Sequence, residues 1–287
     1  MSQFIPSEKG TTIRQPSTAN LMIDSADRLV ATTTPWNFQI TRPQSILNGF
    51  FTRIATTEVV LEWNEPNGFY WDQSMTATWA TGPATQTFGV LDDDKFYTAE
   101  QALDALAAAM NAAFGTNVFE IVQAGGQTIL QTSDNSDFTI VPSDLTRRLG
   151  FLDADLALNV SAHTIYSAPD LRPYRYLDFV SAQLTYNQDL KDGATNSQNR
   201  DVLCRWYFAW DQPPTTDGYG FPILMGMQPF VLRRLFNPPK QIRWDNIQPL
   251  GNISFQVYGD DGNLVENAGG GLVDFSNWLM TLQISEV

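Results

Sequence analysis

The chain is poor in the residues from which most enzyme sites are built. Its 287 residues include one cysteine, Cys204, and one histidine, His163. A single thiol excludes an intramolecular disulfide framework and any multi-cysteine metal site. A single imidazole excludes a multi-histidine metal site, and without a G-x-S-x-G motif a serine triad has no support. Cys204 and His163 could in principle form a nucleophile–base pair. Cys204, however, lies within the apolar run Val202–Trp210, the setting of a small buried residue. Positive charge is also scarce, with 17 Lys and Arg against 31 Asp and Glu, a net charge of −14. General nucleic-acid binding needs a basic footprint, so no specific nucleic-acid partner is expected. No apolar run approaches the length of a membrane span. The first twenty residues lack the apolar core of a secretory signal, so synthesis in a reducing compartment is expected.

The remaining polar clusters have simple readings. Asp92-Asp93-Asp94 lacks the spacing and closing glutamate of an EF-hand and reads as acidity ahead of a helix. Gly269-Gly270-Gly271 is not followed by Lys-Ser or Lys-Thr and reads as a loop, not a phosphate cradle. Glu58, Glu62 and Glu65 read as surface positions on one strand and its turn. No catalytic residue, cofactor or metal ligand is expected.

What the chain does have is β-forming sequence. Aromatic residues make up 12% of it, including eight Trp and eighteen Phe. Alternating or β-rich runs occur at 20–28, 36–41, 46–63, 176–186, 201–210, 252–258 and 279–284. Weaker strand candidates lie at 75–80, 87–90, 117–123, 127–132, 137–141, 159–166 and 241–247, with a hairpin turn at Ala124-Gly125-Gly126. Against these stands one long helix, Thr98–Gly115. Thr98 and Gln101 form a capping box, and Leu103, Leu106, Met110 and Phe114 make one apolar stripe. Gly115 supplies the stop. A shorter helical turn is expected at Pro142–Leu149. The pattern predicts an all-β protein, a single jelly-roll β-sandwich of ~8 principal strands. Residues 1–19 read as an extended N-terminal arm. Residues 20–287 read as one jelly-roll domain with a helical insert around 98–115, the helix lying against the sandwich through its apolar stripe.

The order of these features resembles the penton proteins of double-jelly-roll DNA viruses, of the virophage and polinton-like type. The resemblance is carried by NLMIDSADR at 20–28, then Trp36 and Phe38, then TAEQALDALAAAMNAAFG at 98–115 and the hairpin after it. It continues through RRLGF at 147–151 and PPKQIRWDNIQPLGNISFQVYGDDGNLV at 238–265. It implies a structural, non-enzymatic protein of the virion: an upright jelly roll that assembles as a homopentamer at the icosahedral vertex. Its partners would be itself, the surrounding major capsid protein with its double jelly roll, and minor capsid proteins. Lys9, Arg14, Arg28, Arg147 and Arg148 are the candidate assembly residues. A minor capsid or cement protein of the same viruses and a carbohydrate-binding jelly-roll module are the alternative readings.

Overall fold

The computed structural model describes residues 18–28, 33–41, 51–71, 74–82, 85–185, 202–208, 215–243, 250–266 and 276–285. The chain begins with three strands, β1 (Thr18–Asp24), β2 (Asn37–Thr41) and β3 (Arg53–Trp63). It then enters a long insertion: α1 (Asn67–Tyr70), β4 (Ser74–Trp79), β5 (Gln86–Gly89), α2 (Ala99–Phe114), β6 (Phe119–Ala124), β7 (Gln127–Thr132), β8 (Phe138–Ile140), α3 (Asp144–Arg148), α4 (Asp153–Leu156) and β9 (Ala162–Ile165). It returns through β10 (Tyr176–Val180), α5 (Ala182–Thr185), β11 (Val202–Tyr207), β12 (Phe230–Leu235), β13 (Gln241–Arg243), β14 (Asn252–Gly259) and β15 (Asn277–Ser285).

Two antiparallel sheets form the sandwich. The first runs β1-β15-β3-β12, with β13 joining the start of β3, and the second runs β11-β10-β14-β2. This is the expected jelly roll of eight principal strands, closed by pairing strands far apart in sequence. Between the sheets lie fully buried Trp36, Trp63, Trp206, Trp278, Phe179, Phe208 and Phe255. Trp278 is central, with its ring 5.4 Å from Phe38, 5.1 Å from Phe179 and 5.7 Å from Phe255. Its indole Nε1 donates to the Pro35 carbonyl at 2.7 Å, so this large ring is buried without orphaning its polar atom.

Helix α2 has the termini read from the sequence. The Thr98 hydroxyl accepts from the Gln101 amide, and the Gln101 carboxamide oxygen accepts from the Thr98 amide at 3.0 Å. Gly115 closes the helix at φ 65°, where a side chain would be strained although the space around it is open. Its neighbours differ from expectation. The apolar stripe does not rest on the sandwich; Leu103, Leu106, Met110 and Phe114 belong to a second core with Trp79, Phe119, Leu130, Phe138 and Leu145. Two three-stranded sheets, β5-β4-β8 and β6-β7-β9, supply the other walls of that core. The stripe is satisfied by strands within about fifty residues of it in sequence. β5 and β6 directly flank the helix in sequence, so these two partners are reached at low loop-closure entropy.

Two boundaries also differ from the reading. The run Tyr176–Tyr186 is not one strand. β10 ends at Val180, and the Ser181 carbonyl then accepts both the Thr185 amide at 3.1 Å and the Thr185 hydroxyl at 2.7 Å, closing a helical turn. At the other end of the chain, Thr18 and Ala19 pair with Ser285 and Ile284, so β1 starts inside the segment read as an arm.

Candidate assembly surfaces

The structure separates the residues from which a reactive site could be made. Cys204 is in the sandwich core, where burial pushes its thiol pKa far up, and His163 is on β9 in the insertion. The imidazole is fully buried, its ring 4.6 Å from Phe138, and Nε2 lies 3.2 Å from the Phe138 carbonyl. A carbonyl only accepts, so Nε2 carries the proton of the neutral ring. Burial lowers the pKa of His163 despite Asp155 Oδ2 at 3.9 Å. Asp92 is engaged by Lys95 and by the Tyr97 hydroxyl. Glu58 pairs with Arg233 across the β3–β12 ladder, Glu62 is exposed and Glu65 is buried. Among the described residues no group of three His, Cys, Asp or Glu is placed to hold a metal ion.

The five basic residues singled out in the sequence do not converge. Lys9 and Arg14 lie outside the described residues. Arg28 is buried, with its guanidinium donating to the Ser25 carbonyl, so it presents little to a partner. Arg147 and Arg148 sit together at the end of α3. Arg147 is exposed and pairs with Asp144 at 2.7 Å and Asp153 at 3.0 Å, while Arg148 lies 4.3 Å over the Trp71 ring. Five of the six described tryptophans are buried, and the sixth, Trp71, has one face covered by Arg148.

A loop legible in the sequence from Asp217-Gly218-Tyr219-Gly220 makes contacts that the sequence does not disclose, and it ties the insertion to the sandwich. Residues 215–229, between β11 and β12, send Leu224 and Met227 into the insertion core. The Asp217 carboxylate accepts the Glu100 amide at 2.9 Å, at the N-terminus of α2. The Tyr219 hydroxyl donates to Asp104 at 2.6 Å, and the Gly218 amide donates to Glu100 at 2.6 Å. Where insertion and sandwich meet, Tyr70, Trp71, Arg148, Tyr174, Asp260 and Glu266 help line a cleft of about 510 Å³.

Apolar side chains also reach the outer surface of the β1-β15-β3-β12 sheet. Met22 on β1 is 67% exposed, and Val231 and Leu235 on β12 are 68% and 63% exposed. The sequence signal was the parity of FVLRRL: Val231 and Leu235 share a face with the exposed Arg233, so they cannot all be core residues. On the opposite sheet the outer face carries Tyr176 and Tyr207, 6.0 Å apart, and Arg205 lies 4.0 Å over the Tyr176 ring.

Among solved structures, the chain is similar to the crystal structure of the selenomethionine-labelled mavirus penton protein. Identity is 12%, coverage is 96% of this chain and 100% of that one, and the TM-score is 0.51. It also matches the Sputnik virophage structure determined by cryo-EM, at 9% identity, 95% and 98% coverage and a TM-score of 0.46. No protein-family model and no curated protein matches it. At 12% identity the first match establishes a common fold, co-extensive over 96% of the chain.

Proposed function

We propose that this chain is a vertex protein of an icosahedral capsid, working as a homopentamer that contacts the surrounding major capsid protein. The observation that carries the proposal is the co-extensive match to a penton protein, jelly roll and insertion together. The surface chemistry is in keeping with it. Several described ionisable residues pair with one another, as Asp170 does with Arg172 and Asp178 with Arg205, while the exposed Met22 and Tyr207 are of the kinds that interfaces favour. The protein's work in this reading is shape and contact, not bond making. Arg147 and Arg148 on the insertion, and Lys9 and Arg14 ahead of β1, are the residues we assign to contacts beyond the ring.

Two measurements test this. Purified full-length chain, followed by size exclusion with light scattering, is expected to give a mass five times that of the monomer; a stable dimer would overturn the reading. Deletion of residues 1–17, which spares β1, is expected to leave folding intact and to reduce incorporation at the particle vertices. Normal incorporation would remove the role assigned to Lys9 and Arg14.

A further inference from the structure

A ring needs two different patches on opposite sides of each subunit, and it closes only if the step between neighbours has no rise along the axis. The β1-β15-β3-β12 sheet meets both conditions. Among the described residues, β1 pairs with β15 alone and β12 with β3 alone, so these strands are the sheet's two edges. Three inter-strand spacings separate them, about 14 Å.

The side chains at the two edges match in chemistry and in height. Register places Asp24 opposite Leu279, Leu279 opposite Val60, and Val60 opposite Arg233. Asp24 and Arg233 therefore end the same row across the sheet. In the next row, Met22 faces Thr281, Thr281 faces Glu58, and Glu58 faces Leu235. An acid and a thioether at one edge thus stand level with a base and a leucine at the other. The wider charge agrees: residues 230–243 hold Arg233, Arg234, Lys240 and Arg243 and no acid. Asp24 and Asp27 lie at the β1 edge, and among the described residues neither meets a basic side chain.

We infer that the β12 edge of one copy docks on the β1 edge of the next, with Arg233 meeting Asp24 and Leu235 meeting Met22. The inference rests on the ring reading above and names the surface that closes it. Strand direction is compatible. Each neighbouring pair in the sheet is antiparallel, so β1 runs opposite to β12. Rotation about an axis along the strands would keep that alternation at the junction. Because the paired side chains are level, the rotation carries no axial step and produces a closed ring, not a filament. Arg233, which reaches Glu58 within its own chain, would then lie between two carboxylates.

Charge reversal tests this on the full-length chain. Asp24→Arg alone and Arg233→Glu alone are each expected to reduce the five-copy mass to that of a monomer, with unchanged circular dichroism. The double variant restores opposite charges at every junction and is expected to recover the ring. A second variant, Met22→Cys with Leu235→Cys, is treated with a short bifunctional maleimide; Cys204 is buried and should stay unlabelled. It is expected to give a ladder up to five cross-linked copies, and neither single cysteine variant should pass the dimer. If the reversals disturb the mass but the double variant fails to recover it, the ladder decides: its presence supports the junction and its absence overturns it. A five-copy mass that survives both reversals, with no ladder, would show a ring closed through another surface. A wild-type chain that stays monomeric, with no ladder, would overturn both this junction and the ring.

Discussion

Asp178 and Arg205 hold one another through two parallel hydrogen bonds across the β10–β11 pair. Nε donates to Oδ1 at 2.7 Å and Nη2 to Oδ2 at 2.9 Å. The two partners are unequally sheltered, since the aspartate side chain is 5% exposed and the arginine side chain 36%. Arg205→Met strands a buried carboxylate and is expected to cost about 2–3 kcal/mol, below the range for wholly buried pairs because the guanidinium is partly in water. Asp178→Asn leaves a guanidinium that can turn to solvent and should cost about 1 kcal/mol. Urea unfolding of the two variants measures the difference, and equal losses would contradict the asymmetry.

Leu106 is fully buried in the insertion core, so Leu106→Ala should destabilise by about 2–5 kcal/mol. The loss is expected to be local. Hydrogen exchange should quicken at α2 and β4–β9 while β3 and β15 keep their protection. Equal quickening in both sets would mean that the two cores open as one unit.

His163 gives the chain a pH dependence whose sign follows from burial. The folded pKa is lowered, so between that value and the unfolded value of about 6.5 the unfolded chain binds a proton that the folded chain does not. Stability should therefore fall as pH drops through about 6.5, by at most about 1.4 kcal/mol per pH unit, and level off below the folded pKa. Urea midpoints of the wild type and His163→Gln between roughly pH 5 and 8 would test it. The variant should lack this part of the slope, and parallel curves would refute the assignment.

Cys204 is 5% exposed and its thiol is held in the protonated form by burial. The native chain should resist a thiol reagent that labels it fully in denaturant, which makes the labelling rate a gauge of sandwich opening. Rapid labelling of the native chain would show that this core is not closed.

What the sequence disclosed was whatever it encodes over short distances. Thr98, Gln101 and Gly115 bound α2 because caps depend on residues within one turn. Gly125 and Gly126, at φ 61° and 80°, make the β6–β7 hairpin for the same reason. Alternation at 252–258 and 279–284 identified the inward faces of β14 and β15. Periodicity does not say which wall an apolar face meets, so the stripe of α2 fits the sandwich on paper and belongs to a second core in the fold. The end of β10 was hidden because Leu184 keeps the apolar spacing while the backbone has already turned at Ser181. The matched edges of β1 and β12 were illegible for a different reason. Their relation passes through β15 and β3, and register across four strands is a property of the fold alone.

The pairing of β1 with β15 also orders events in time. The Trp278 amide donates to the Ser25 hydroxyl across 253 positions, so the sandwich cannot close while synthesis is still passing through β14. The insertion waits less, because its hairpins and α2 find most of their partners nearby and only the 215–229 loop, with Leu224 and Met227, arrives later. Folding is then vectorial, with the insertion completed first and β1 waiting unpaired on the ribosome for most of the chain. A chain stalled before β15 would carry a finished insertion on an open sheet, with β1 unseated.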